Sequence, residues 1–353
     1  MPVFLNGLAT AVPPHALPQD LVERNARRIL GPRFVEFERL AGAFLNAGVE
    51  RRYSVAPFEW FEAPKNWAER NALYLEGAVP LFCEAARGAL ASAGLEAAEI
   101  DAVVTVSSTG IAAPSLEARA HAAMGFRPDV RRRPVFGLGC AGGVAGLALA
   151  RELALARPGA RVLLVALELC TLAFRDDRLR KADVIATVLF GDGAAAAAVS
   201  TRRGRNGFPE VALGEGQEQL WPDTLSIMGW DVDPQGFGVV FDRAIPAFAE
   251  AEFRAAAEAA LARADLSADR IDRFVCHPGG AKVVRALETA MGLRDGALAA
   301  ERAVLRDYGN MSAPTALFVL DRVLKEGAAG RMALCALGPG FTLSLMPLSV
   351  AHG

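Results

Sequence analysis

Three residues far apart in the chain can do chemistry together: Cys140, His277 and Asn310. Cys140 stands in Phe136-Gly137-Leu138-Gly139-Cys140-Ala141-Gly142-Gly143, which reads as a strand-to-helix turn. Small residues there let the backbone bend sharply and let a substrate come close. A helix N-terminus favours a thiolate, and a nearby imidazolium adds to that, so this thiol is the candidate nucleophile. His277 stands in Val275-Cys276-His277-Pro278-Gly279-Gly280, and Asn310 in Tyr308-Gly309-Asn310-Met311-Ser312. Taken singly, each has an ordinary reading: a buried structural cysteine, a satisfied strand-end histidine, a helix cap. Taken together, they describe a sulfur nucleophile for acyl thioesters, with backbone N–H groups near Cys140 holding the oxyanion. His277 and Asn310 are both donors and suit a second oxyanion, the thioester enolate left when a malonyl group loses CO2. Phe190, just before Gly191-Asp192-Gly193, offers an apolar wall against which a carboxylate sheds its charge; its ordinary reading is a core phenylalanine. Ser–His–Asp hydrolysis is not indicated, because no Gly-x-Ser-x-Gly elbow is present.

Bringing these groups together requires a fold that joins distant segments, and the chain repeats itself in a way that does so. Ala91–Asp101 has a counterpart in Ala262–Asp272, each closing a helix ahead of an apolar run. Upstream, Val79-Pro80 echoes Ile245-Pro246, and both read as helix starts. Downstream, Gly139-Cys140 and Gly309-Asn310 each open an apolar helix; Cys140 lies 21 residues before Arg161, and Asn310 lies 21 before Arg331. Each Arg begins a strand, followed by a Gly-rich turn (Gly191-Asp192-Gly193 or Gly338-Pro339-Gly340) and another strand. Strands and helices that alternate and stay apolar imply an α/β fold with a buried sheet covered by helices. The predicted halves are residues 1–204, carrying the nucleophile, and 205–353, carrying His277 and Asn310, packed as α-β-α-β-α about a pseudo-two-fold axis. Equivalent positions meet near that axis, so the duplication alone brings thiol, imidazole and amide together.

Composition supports a globular enzyme. The chain has 353 residues, is 52% hydrophobic and carries a formal charge of −2, which gives no general attraction to nucleic acid or anionic membrane. Arg131-Arg132-Arg133 reads as a solvated connection before a strand. The five cysteines (83, 140, 170, 276 and 335) include no CxxC pair, and the histidines at 15, 121, 277 and 352 form no metal constellation. The other four cysteines read as structural. No signal peptide or bilayer-spanning stretch is visible, so the expected location is the cytoplasm.

These motifs resemble those of the type III polyketide synthases, the chalcone synthase-like members of the thiolase superfamily. The resemblance spans nearly the whole chain and rests on Gly139–Gly143, Leu189–Ala194, His277–Gly280, Tyr308–Ser312 and Gly338–Gly340. It implies a thiolase-like five-layer fold and a homodimer with no bound cofactor or metal. It also implies an enzyme that loads acyl-CoA on Cys140, decarboxylates malonyl-CoA, condenses repeatedly and cyclises the chain. By the same resemblance Ser108 and Ser312 match pocket residues, while Ala113, Ala173, Trp230 and Val239 replace a Met, a Thr, a Gly and a Phe of the plant enzymes. Alanines at 112, 113 and 173 would open an apolar tunnel, and Trp230 would narrow the cyclisation chamber. Of the basic residues that contact CoA phosphates in plant enzymes, Arg39 remains, while Gly42 and Asn46 stand where two others would be. Arg51, Arg52, Arg243 and Lys282 are the candidates to compensate; for each of these cations solvated surface charge is the ordinary reading. The expected starter is a medium- or long-chain fatty acyl group and the product an alkylresorcinol or alkylpyrone. Two alternatives stay open: a single-condensation β-ketoacyl synthase of the same superfamily, and a non-catalytic acyl- or CoA-binding partner.

Overall fold

The computed structural model describes residues 1–351 apart from 179 and 205–206; His352, and Arg205 where the second half is expected to begin, lie outside the described residues. The first half runs β1 (Phe4–Ala11), β2 (His15–Pro18), α1 (Gln19–Leu30), α2 (Phe37–Asn46), β3 (Arg51–Ser54), α3 (Trp67–Ala93), β4 (Ala102–Val106), α4 (Leu116–Met124), β5 (Arg131–Val135), α5 (Gly142–Ala156), β6 (Arg161–Leu169), α6 (Lys181–Leu189) and β7 (Asp192–Ser200). The second runs β8 (Val211–Leu213), β9 (Gln217–Leu220), β10 (Met228–Asp233), β11 (Gly236–Phe241), α7 (Ile245–Arg263), β12 (Arg273–Cys276), α8 (Ala281–Met291), α9 (Ala299–Tyr308), α10 (Thr315–Lys325), β13 (Gly330–Gly338) and β14 (Thr342–Val350).

The repetition seen in the sequence is a repetition of pairing. In the first half β1 pairs antiparallel with β7, β7 antiparallel with β6, and β6 parallel with β4. In the second, β8 pairs antiparallel with β14, β14 antiparallel with β13, and β13 parallel with β12. The halves join where β1 and β8 pair, Phe4 opposite Ala212 and Leu5 opposite Val211.

Alternation along the strands divides the core into layers, because successive side chains leave a strand on opposite faces. Val104, Leu164 and Ala197 point with Leu334 and Met346 into a central layer filled by Leu147 of α5 and Leu317 of α10. Val103, Leu163 and Ala196 face outward against α3, and Phe274, Ala333 and Leu345 face outward against α7 and α8. The result is the α-β-α-β-α arrangement. Gly139–Ala156 is long and apolar enough to cross a membrane, yet it is the central helix with its leading turn, packed on β4, β6 and β7. A helix between two sheets must be apolar nearly all round.

Three local expectations are corrected. Pro80 lies inside α3, which starts at Trp67 with Asn66 and Glu69 forming a reciprocal capping box; only Ile245-Pro246 begins a helix. Asn310 does not open α10, which starts at Thr315; Asn310 sits on the connection before it. Arg131–Arg133 is not a connection but most of β5, the exposed edge strand beside β4.

Candidate active site

Cys140 lies in a tight turn, Gly139–Ala141, between β5 and α5. Gly139 has φ 47°, and a Cβ there would sit 2.6 Å from Pro339, so the β13–β14 loop of the other half packs directly on the nucleophile turn. His277 follows β12, its backbone N–H donating to Cys335 O at 2.8 Å. Asn310 is bridged to Phe190: its N–H donates to Leu189 O (2.8 Å), and Gly191 N–H donates to its carbonyl (3.0 Å). Its carboxamide is oriented too, Nδ2 donating to Gly279 O at 3.2 Å and Oδ1 accepting from Ser312 N–H at 2.8 Å.

Cys140, His277 and Asn310 line one cavity with about 400 Å³ of empty space. A second, of about 460 Å³, meets it at Cys140, Met228 and Phe241 and is walled by Ser108, Glu168, Phe190, Trp230, Val239 and Ser312. Trp230 stacks on Phe237 with centroids 5.5 Å apart and donates from Nε1 to Ser108 O at 2.8 Å, which fixes it as a wall. Ala173 lines a third, apolar cavity, which shares Cys170 and Phe190 with the second.

Burial sets the charge state. It pushes the Cys140 thiol up to about 11, while hydrogen bonds from Ser312 and Asn310 pull the other way. It pushes His277 down to about 4, and both ring nitrogens, buried, have no hydrogen-bond partner. Burial therefore opposes charge on both groups, against the thiolate that a helix N-terminus by itself favours. The expected oxyanion donors are also thinner than foreseen, since Ala141 N–H is already given to Leu138 O. Neutral His277, with a free nitrogen facing the cavity that Cys140 lines, has the capacity to take the thiol proton during attack.

Glu168 escaped notice in the sequence although one signal was present, a lone charge inside the apolar run Val162–Leu172. It is fully buried, and burial pushes it up to about 8; Ser108 N–H (2.9 Å) and Thr109 Oγ1 (2.7 Å) donate to it. It stands on the wall of the chamber and holds its proton well above the usual carboxylate range.

The remaining candidates separate by burial. Arg39, Arg51, Arg243 and Lys282 are exposed. Arg52 is corrected: it is 2% exposed, and its guanidinium donates to Thr187 O (2.6 Å), Val188 O (2.7 Å), Phe190 O (3.0 Å) and the Gln19 side chain. It satisfies the last carbonyls of α6 and so holds Phe190, leaving no face for a CoA phosphate. Ala113 is exposed, away from the chamber of its own chain. Among the described residues no group of His, Cys, Asp and Glu gathers as a metal site.

Comparison with known proteins places this geometry. Residues 61–202 match the N-terminal domain of chalcone and stilbene synthases, and residues 213–350 match the C-terminal domain. The chain is 34% identical to a protein named putative chalcone synthase of Bacillus subtilis (strain 168), over 99% of both chains. It is 41% identical to the 1,3,6,8-tetrahydroxynaphthalene synthase of Streptomyces peucetius subsp. caesius, over 94% of this chain and 89% of the relative. The crystal structure of the 1,3,6,8-tetrahydroxynaphthalene synthase of Streptomyces coelicolor A3(2) superposes with a TM-score of 0.93 at 30% identity, over 99% of this chain and 100% of the other. A fungal type III polyketide synthase superposes with a TM-score of 0.90 at 26% identity, over the same shares.

Proposed function

This chain belongs to the chalcone and stilbene synthase family, the type III polyketide synthases, and from that premise we propose what its own residues do. A type III polyketide synthase is an acyltransferase that joins CoA thioesters by decarboxylative Claisen condensation and needs no further cofactor. In the proposed course, Cys140 attacks an acyl-CoA, His277 takes the thiol proton, and CoA leaves as the thiol. Malonyl-CoA then loses CO2 beside Phe190. His277 and Asn310 hold the enolate oxygen while the enolate carbon attacks the Cys140 thioester; its C–S bond breaks, the lengthened chain stays on CoA, and Cys140 regains a proton from solvent. What supports this assignment is the single cavity lined by Cys140, His277 and Asn310. The exposed Arg39, Arg51, Arg243 and Lys282 are the proposed contacts for CoA phosphates.

The proposed starter is a medium- or long-chain fatty acyl group, and the product an alkylresorcinol or alkylpyrone. One observation carries this: the third cavity, lined mostly by apolar side chains, among them Leu17, Val22, Ile29 and Ala173. It shares Cys170 and Phe190 with the chamber, so movement of the Phe190 ring would give an alkyl tail bound through the Cys140 thioester an apolar place to lie, at roughly 0.8 kcal/mol per methylene buried. The 41% identity to a tetrahydroxynaphthalene synthase favours a second reading, a naphthalene with no tail to accommodate. Products from malonyl-CoA with acyl-CoA starters of C2 to C16 separate the two. Pyrones or resorcinols bearing the starter's chain are expected, best at the longer lengths; turnover of malonyl-CoA alone, or of short starters only, overturns the long-chain reading.

A homodimer is proposed on the exposed edge of β5 and the exposed Phe136 that follows it. A cytoplasmic location is proposed on the five cysteines, all buried and unpaired.

A further inference from the structure

Much of the chamber wall is a hairpin that the main sheet does not hold. Among the described residues β10 and β11 pair only with each other, yet they supply Met228, Trp230, Val239 and Phe241 to the chamber. A two-stranded hairpin is marginal in water by itself, so its position depends on what anchors it. Three arginines on the segment before α6 reach across to it. Arg175, with a side chain 1% exposed, grips the Asp233 carboxylate with both terminal nitrogens, at 3.0 and 3.1 Å, and is itself oriented by Asp177. Arg178 donates to the Asp231 carboxylate at 2.8 Å and to Asp233 at 3.3 Å. Its guanidinium fills the place a side chain at Gly238 would take, a Cβ there falling 1.6 Å from Nη1. Arg180 donates to Val239 O at 2.9 Å, on the residue that faces the chamber.

The geometry points to Arg175, Arg178 and Arg180 as a clamp that sets how closely the β10–β11 hairpin sits over the chamber, and thereby how far the chain grows and how it folds before release. A two-pronged guanidinium–carboxylate pair fixes distance and angle together, which a lysine cannot do, and the buried position of Arg175 shields it from salt. None of the three lines the chamber, so they act as positioning residues through Trp230 and Val239. This inference rests on repeated condensation at Cys140.

The test compares Arg175→Ala, Arg175→Lys, Asp233→Asn and Gly238→Ala with the parent protein. Hydrogen–deuterium exchange reads the hairpin, and the ratio of products with different numbers of extensions reads the chamber. In Arg175→Ala, amides of residues 228–241 should exchange about tenfold faster with the central helices unchanged, and the product ratio should shift. The rate of Cys140 acylation by acyl-CoA should stay within about twofold, with Arg175→Lys recovering only part of the effect. Should Arg175→Ala not fold, Asp233→Asn, altered on the half-exposed side of the pair, decides by the same two readouts, and Gly238→Ala, which displaces Arg178, should move both in the same direction. Unchanged exchange in 228–241, or faster exchange with an unchanged product ratio, overturns the clamp. Failure of acyl-CoA to label Cys140 in the parent protein overturns the proposed function instead, and leaves the exchange result standing by itself.

Discussion

At Cys140 the cost of burial governs the chemistry. Burial holds the thiol well above the ordinary cysteine range, so attack and proton transfer to His277 are best joined in one event. The negative charge of Glu168 is among the causes that raise this thiol. Glu168→Gln removes that charge, so the thiolate becomes easier to form. The pH midpoint for iodoacetamide alkylation of Cys140 should move down, and a midpoint unmoved or raised would show that the carboxylate is not felt at the sulfur. Asn310→Ala removes one of two enolate donors and should slow malonyl-CoA decarboxylation by about 100-fold, read as CO2 release. Cys140, His277 and Asn310, the residues proposed to react, stood out in the sequence because each lies close to glycine at equivalent or facing ends of the repeat. The sequence could not show how burial acts on them, because desolvation depends on what packs over Cys140 and His277 from segments more than a hundred residues away. Arg52 was misread for the same reason: a basic residue in a short strand looks solvated until α6 is seen to end on it.

At the scale of elements, the two central helices meet through missing side chains. A Cβ on Gly143 of α5 would lie 2.2 Å from Ala313 O, at the lead-in to α10. Gly143→Ala should therefore destabilise the protein by about 1–3 kcal/mol, measured by urea unfolding, whereas Gly42→Ala, with nothing within 4 Å, should be neutral or mildly stabilising. Arg52→Met leaves the carbonyls at the end of α6 unpaired and should cost about 1–3 kcal/mol, and the same unfolding curves check it. Helices and strands were readable where both copies of the repeat kept one pattern, as in Ala262–Asp272. They were misread where one copy departed from the other. Nothing in the run around Pro80 announces that α3 has already made several turns, because the capping box at Asn66 and Glu69 lies in added material with no counterpart.

At the scale of the molecule, duplication explains why distant residues cooperate: each half brings a loop to the seam, and the pairing of β1 with β8 locks the halves in register. The duplication was visible as four echoes in order, and the layers followed from it. Invisible were the third cavity, formed largely by side chains of α1 and α6, and the β10–β11 wall of the chamber, since these elements lie outside the repeat. The exposed β5 edge bears on assembly. Phe136→Asp places a charge beside it and should convert a species of about twice 37.3 kDa into one of 37.3 kDa in sedimentation equilibrium; a monomeric parent protein would remove the dimer.

The most direct test of the whole is the mass of the protein after brief mixing with one acyl-CoA and no malonyl-CoA. A single added acyl group, mapped to the peptide containing Cys140 and absent in Cys140→Ala, is expected. An unmodified protein, or an acyl group that persists in Cys140→Ala on another cysteine, would contradict the assignment of Cys140 as the thiol on which chains are built.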